Sequence, residues 1–224
     1  MKIRNNIGIV LFGAFISCIV AFINNYPLVY PDTGSYIYSG FSNLVFDDRP
    51  IFYGLFLRHI SMAASLWCVI IMQGILVCYI IFITLGMFFS AQKRKYVFIS
   101  IIILITLTTA FSYTVSILIP DIFSAISILC FINLLLNKEL NKFHKIVIAS
   151  LFIFSVSTQF SSLPILMLLF GALGLIWFYM KMKKRPIGFI SKNLFLTFML
   201  FLICIFMIPS IHYLFNKEFK IILL

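Results

Sequence analysis

The stretch VFISIIILITLTTAFSYTVSILIPDIFSAISILCFINLLLN, residues 97–137, decides the fold of this chain. Its 41 positions contain no Lys or Arg and a single acid, Asp121. As one helix they would extend about 60 Å, twice the hydrocarbon thickness of a bilayer. Two membrane spans, 97–113 and 119–137, fit this length. The break between them is expected at SYTVSILIPD, where Pro120 suits the first turn of a new helix and Asp121 suits its positive end.

The whole composition has the same character. Hydrophobic residues make up 63% of the 224-residue chain, charged residues 10%, and the mean hydropathy is +1.15. A soluble domain has about 25% charged residues. We therefore expect an all-α, polytopic membrane protein that forms a single transmembrane domain over residues 1–224. Seven helices are predicted, over residues 7–24, 65–89, 97–113, 119–137, 146–160, 163–180 and 194–214.

The positive charge indicates topology. The net charge is +11, but the basic residues cluster in short breaks between the apolar runs. This is the positive-inside pattern, and it predicts a multi-pass protein of the cell membrane with a cytoplasmic N-terminus. No break is long enough for a nucleic-acid-binding domain, so nucleic acid is not an expected partner, whereas membrane lipids are. The basic breaks contain Lys2 and Arg4, then Lys93, Arg94 and Lys95, then Lys138, Lys142 and Lys145, then Lys181, Lys183, Lys184 and Arg185.

The connection between the first two spans, residues 25–64, is predicted to lie outside the cell. It is nearly 40 residues long and contains three of the six acidic residues of the chain, which topology does not require. Tyrosines recur through it, and RPIFYGLFLRHISMAASLW (residues 49–67) has apolar residues at helical spacing beside Arg58 and His59. That pattern predicts amphipathic helices on the membrane surface.

These features resemble the GT-C glycosyltransferases, close to the aminoarabinose-transferase and mannosyltransferase-like branch. The resemblance rests on PDTGSY (residues 31–36), on RPIFYGLFL (residues 49–57) before the second span, and on an acid in the second outer loop. It implies a GT-C-like core of seven helices, a polyprenyl-phosphate sugar donor and a glycan, lipid or protein acceptor. Known members have further helices, and the final IILL resembles the opening of another apolar run, so we expect a shortened or truncated member.

Sugar transfer from a lipid phosphate requires a base for the acceptor hydroxyl, and a single carboxylate is sufficient. Asp32 is the candidate. Three more acids, Asp47, Asp48 and Asp121, are second-tier candidates. The departing phosphate requires cations, and the cations of the same loop are Arg49, Arg58 and His59. In the family pattern Tyr36 follows the acid and Tyr53 follows the basic-proline motif, so both are expected in the substrate cavity.

Several alternatives stay open. Asp32 and Asp121 both suit helix caps, and the two roles do not exclude one another. No ligand spacing demands a metal, although Asp32 with Asp47 or Asp48 could hold a divalent cation. A non-catalytic membrane subunit, or a degenerate relative of the enzymes, predicts the same topology. A transporter or flippase is disfavoured because no ionisable group is expected at mid-membrane.

Overall fold

The fold is described from a computed structural model of the chain. It covers residues 6–46, 48–183 and 188–216. Within these ranges the regular structure is helical, and the chain forms no strand beyond an isolated bridge between Leu28 and Ile117. The prediction of an all-α protein is therefore confirmed for the part of the chain described.

The described residues form eleven helices. They are α1 (Ile7–Ser17), α2 (Ile19–Ile23), α3 (Thr33–Ser42), α4 (Phe52–Ser61), α5 (Trp67–Leu85), α6 (Ala91–Thr108), α7 (Phe111–Ser116), α8 (Asp121–Leu136), α9 (Lys142–Thr158), α10 (Ser162–Met182) and α11 (Gly188–Asn216). Each predicted span overlaps at least one of them, and the loop 25–64 contains α3 and α4.

Three helices are long and apolar enough to cross a membrane, over Trp67–Leu85, Ser162–Met182 and Ser191–Phe215. The apolar helices Ile7–Ser17 and Asp121–Leu136 are shorter. Only 6% of the most apolar part of α10 is buried within the protein, so its surface is suited to contact with lipid. These helices support a membrane protein, and the full count of seven spans stays a prediction.

The chain divides into two compact units. The first comprises the described residues of Met1–Phe46 and Ile51–Ile122, and the second those of Asp47–Pro50 and Phe123–Leu224. In the second unit the side-chain amide of Asn193 on α11 donates to the Leu135 carbonyl of α8 (3.1 Å). The ring of Phe170 on α10 packs against Phe131 of α8 and Phe198 of α11, with centroids 5.0 and 5.4 Å apart.

Small residues bring the helices of the first unit together. A Cβ added to Gly74 of α5 would lie 3.1 Å from the Ala14 carbonyl oxygen of α1. A Cβ on Gly13 of α1 would lie 2.8 Å from the ring of Phe98 on α6. Membrane helices associate through such small-residue contacts because lipid supplies no hydrophobic force between them.

The structure changes the account of the basic residues 93–95. They were interpreted as a loop, but α6 begins at Ala91 and includes them. Arg94 is 4% exposed, and its guanidinium carbon lies 4.3 Å from the Phe82 ring centroid. The attraction to the aromatic face offsets part of the solvation energy that the guanidinium loses on burial. Assigning residues 93–95 to a loop because they are charged does not take this contact into account.

The break after α6 also differs from the expectation. The helix ends at Thr108, four to five residues earlier than expected, and the short α7 follows. Pro120 lies just before α8, where it was expected in the first turn, and Asp121 is the first helical residue as expected. The fifth predicted span also shifts, since α9 begins at Lys142.

Candidate functional site

The interruption between α7 and α8 leaves a non-helical segment, residues 117–120, inside the first unit. Its backbone is paired with residues far away in sequence. Leu28 donates its N–H to the Ser116 carbonyl (2.9 Å), and the Leu118 N–H donates to the Leu28 carbonyl (2.9 Å). Ile117 and Leu118 are buried. The Ile117 N–H donates to the Tyr113 carbonyl (3.1 Å), so the buried part of this irregular segment has its polar groups paired within the protein.

Gln73, in the middle of α5, completes the pairing of this segment. Its amide nitrogen donates to the carbonyls of Val115 (3.0 Å) and Ile117 (3.1 Å), and its amide oxygen accepts from the Tyr53 hydroxyl (2.7 Å). Both Gln73 and Tyr53 are 0% exposed. One buried amide therefore connects the surface helix α4, the span α5 and the broken segment, as expected of a polar group in a membrane helix.

Tyr53 acts in this network as a neutral phenol. Burial raises its pKa well above the usual value of 10.0, and the nearby Tyr36 and Asp121 raise it further. Tyr36 packs edge to face against Tyr53, with ring centroids 5.1 Å apart. The two tyrosines predicted to line a substrate cavity thus form one buried pair, and the Asp121 carboxylate lies within electrostatic reach of it.

The start of α3 is fixed to the same broken segment. The Thr33 hydroxyl donates to the Leu118 carbonyl (2.9 Å) and accepts from the Tyr30 N–H (2.9 Å). Asp32, the residue just before α3, is exposed, and its carbonyl accepts from Ser35 Oγ (2.8 Å). Asp121 is also exposed and begins α8. The exposed carboxylates of Asp32 and Asp121 therefore lie at the starts of α3 and α8, and the Thr33–Leu118 hydrogen bond joins the segments that lead into these two helices.

The predicted phosphate ligands on α4 are engaged elsewhere. Arg58 donates to the Asn43 side chain (2.9 Å) and to the Gly40 carbonyl (3.4 Å), at the C-terminal end of α3. Asp32 lies at the other end of this ten-residue helix, about 15 Å away at 1.5 Å per residue. His59 Nδ1 bonds the Leu55 carbonyl of its own helix (2.7 Å). The structure does not bring Arg58 or His59 together with Asp32.

The remaining pair of predicted residues lies in the short piece that belongs to the second unit. The Arg49 Nε donates to Asp48 Oδ2 (3.0 Å), and the Arg49 Nη2 donates to the same oxygen (2.5 Å). This bond holds the pKa of the Asp48 carboxyl below its ordinary value, despite a smaller opposing effect of burial. The prediction for Asp47 lies outside the described residues.

Among residues 6–46, 48–183 and 188–216, no three His, Cys, Asp or Glu side chains come together as a metal site. Of the two predicted ligand pairs for a divalent cation, Asp32 with Asp48 combines residues of different units. The alternative pair, Asp32 with Asp47, includes a residue outside the described ranges. Carboxylate oxygens would suit a hard divalent cation chemically, and a third ligand would have to come from elsewhere.

Two features of the site were missed from the sequence. Thr33 entered the sequence analysis only as a letter of the PDTGSY motif, although it positions the start of α3. The other is the pair Gly40 and Gly54, one in each surface helix, where the helices approach most closely. Paired glycines in consecutive amphipathic segments are a signal for such an approach. No protein-family model, curated protein or solved structure matches the chain.

Proposed function

We propose that the chain is a membrane glycosyltransferase of the GT-C type. It would move a sugar from a polyprenyl-phosphate donor to an acceptor hydroxyl at the outer face of the cell membrane. Asp32 would be the general base. The topology that goes with this proposal has seven spans, a cytoplasmic N-terminus and residues 25–64 outside.

One observation carries the proposal: the Thr33–Leu118 hydrogen bond (2.9 Å) joins the start of α3 to the segment that leads into α8. It supports a shared outer surface for Asp32 and Asp121, the acids of the two predicted outer loops. Both are exposed, so water and a polar acceptor can reach them. A base must be accessible to the hydroxyl from which it takes a proton.

A lipid-linked donor also fits the surroundings of this surface. The spans keep a long isoprenoid chain in hydrocarbon, and α3 and α4 lie next to the start of α5. Tyr26, Tyr30 and Tyr38 are each at least half exposed, which suits the interfacial region where a phosphate headgroup would lie. A phosphate there requires a cation, and Arg49, which the structure assigns to the second unit, stays a predicted ligand.

The central test replaces Asp32 by Asn in the full chain inserted in membranes. The Asp32 side chain makes no capping bond to α3, and Asn is close to Asp in size, so the change removes a charge and should leave the start of α3 intact. We expect transfer of labelled sugar from polyprenyl-phosphate donors to fall at least about 100-fold, the usual minimum for loss of a general base. Glu139→Gln, a neutralised carboxylate at an exposed position outside the site, is the matched control.

Unchanged transfer by Asp32→Asn would remove Asp32 from the mechanism. A chelator added to the wild-type assay tests the divalent cation directly. The absence of transfer by the wild type with any donor would favour the second candidate, a non-catalytic membrane subunit or degenerate relative. One observation favours that candidate. Arg58 is bonded to the end of α3 and His59 to the backbone of its own helix, so neither side chain is directed to a donor phosphate.

Topology has its own test. Single cysteines replace Ser35 and Lys93 in a background without Cys68, the one cysteine that is not buried among the five. A membrane-impermeant thiol reagent applied to intact cells should label Ser35→Cys and leave Lys93→Cys unlabelled until the cells are opened. Labelling of both from the same side would remove the outer site that the mechanism requires.

A further inference from the structure

An apolar groove of about 640 Å³ runs between α10 and α11 in the second unit. Its lining includes Met167, Gly171 and Trp177 from α10 and Phe195, Leu202 and Ile205 from α11. Apart from Ser191, the described side chains that line it are apolar. The groove is open to the surface, since Met167 is 54% and Phe195 64% exposed.

The length of the groove matches one leaflet of a bilayer. Met167 and Trp177 are ten positions apart on α10, which is about 15 Å at 1.5 Å per residue. Half of a hydrocarbon core is also about 15 Å. An acyl chain extended along this apolar surface fits that length.

One end of the groove is basic. Lys181 lies one turn beyond Trp177, and its Nζ is 5.0 Å from the Trp177 ring centroid. Lys192 lies next to Ser191 at the start of α11, and it is exposed. The sequence from residue 162 to 216 contains no Asp or Glu to neutralise these charges. Basic ends of grooves between membrane helices attract the headgroups of anionic lipids.

We propose that this groove binds an anionic phospholipid from the leaflet on the lysine side. One acyl chain lies along Phe195, Leu202 and Met167, and the headgroup phosphate contacts Lys181 and Lys192. Trp177 lies at the junction of chain and headgroup, which is the depth that tryptophan prefers in membranes. The site is independent of the proposed sugar transfer and does not require it.

The two tryptophans of the chain give a direct test. Trp67 stacks on Phe22 (5.3 Å between centroids), so Trp67→Phe retains an aromatic ring there and leaves Trp177 as the reporter. The protein is placed in phosphatidylcholine vesicles with a minor fraction of lipid brominated near the top of its chains. Brominated phosphatidylglycerol should quench Trp177 at least about threefold more strongly than brominated phosphatidylcholine.

Two glycines of α10 supply a matched pair of variants. A Cβ at Gly171 or at Gly174 would meet nothing within 4 Å, so Leu fits at either, and only Gly171 lines the groove. Gly171→Leu should fill the groove and abolish the extra quenching, whereas Gly174→Leu should preserve it. The double change of Lys181 and Lys192 to Gln should remove the preference for phosphatidylglycerol.

Equal quenching by the two lipids in the starting protein would overturn the proposal. A preference that survives the double Lys→Gln change would do the same, because the headgroup would then bind elsewhere. If neither lipid quenches Trp177 and crosslinking at Phe195 captures a second protein chain, the groove is a protein interface and the lipid site is refuted.

Discussion

Gly40 of α3 and Gly54 of α4 meet backbone to backbone: a Cβ added to Gly40 would lie 2.0 Å from the Gly54 carbonyl oxygen. A Cβ on Gly54 would in turn lie 2.7 Å from the Gly40 nitrogen. Neither contact can be relieved by rotating a side chain. The two helices therefore cross at a point that accepts only glycine. Tyr36, one turn before Gly40, packs on Tyr53, the residue next to Gly54.

The first prediction concerns this crossing. Gly40→Ala should lower the free energy of unfolding by about 1–3 kcal/mol, the usual effect of overpacking, because two backbones must separate. Thermal unfolding in detergent measures it. Gly34→Ala is the control, since a Cβ there meets nothing within 4 Å and alanine favours helix. Equal stability of the two variants would show that the helices do not approach so closely.

The second prediction concerns the Gln73 network. Gln73→Leu removes the partner of the Tyr53 hydroxyl and of two buried carbonyls, and each orphaned group costs about 1–3 kcal/mol. Tyr53→Phe orphans one oxygen and should cost less. Unfolding free energies of the two single variants and the double variant form a cycle. The double variant should be less destabilised than the sum of the singles, and strict additivity would exclude the bond.

The third prediction follows from the raised pKa of Tyr53. The folded protein favours the neutral phenol. The contribution of Tyr53 to the free energy of unfolding is therefore fully present below pH 10, near the pKa of tyrosine in the unfolded chain, and it declines as the pH rises above that value. In the folded protein Tyr53→Phe should leave the ultraviolet titration of tyrosine near pH 10 unchanged in amplitude. After unfolding, the variant should titrate one tyrosine fewer. A smaller amplitude in the folded variant would place Tyr53 in contact with water.

The fourth prediction concerns Asp48. Arg49 lowers the pKa of the Asp48 carboxyl in the folded protein. The stabilisation from this pair is therefore fully present at pH values above the ordinary carboxyl pKa of 3.8, and it disappears as the pH falls through the lower pKa of the folded protein. Arg49→Gln should return the Asp48 pKa toward 3.8. Carboxyl carbon resonances in a pH titration measure this shift. An unchanged Asp48 titration in the variant would mean that the pair does not persist in solution.

The fifth prediction tests α10 as a membrane span. Leu168 is 75% exposed and lies nine positions before Trp177, close to the expected centre of the bilayer, so Leu168→Arg should raise the apparent free energy of insertion by about 2.5–3.5 kcal/mol and make insertion less favourable. Tyr179→Arg, close to the end of the helix, should have a small effect because arginine can extend to the interface. A glycosylation-based insertion assay reads both. Equal effects would place the two positions at the same depth.

The sequence predicted the helices better than their ends. Each long apolar run overlaps a helix of the structure, three of these helices are long and apolar enough to cross a membrane, and the count of seven spans stays a prediction. Short-range rules did less well at the interruption between α7 and α8. The conformation of residues 117–120 depends on Gln73, Leu28 and Thr33, which are distant in sequence and whose contacts no local pattern contains.

The motifs of the outer loops predicted residues that the structure places near one another, and their roles stay predictions. Tyr36 and Tyr53 form one buried pair, and the Asp121 carboxylate lies within electrostatic reach of Tyr53. The same loop suggested Arg58 as a phosphate ligand, yet an arginine beside a helix end is equally able to bond its last carbonyls. Only the crossing of α3 and α4, set by two glycines, directs the Arg58 guanidinium to Asn43.

The partners of the broken segment have a consequence for biogenesis. Leu28, Thr33 and Gln73 all precede residues 115–118 in the chain, so the ribosome has already delivered them when this segment emerges. The polar backbone of residues 115–118 can then pair with groups that are already present. A circular permutation that begins at α6 would reverse this order, so the carbonyls of Val115 and Ile117 would emerge before the glutamine that binds them.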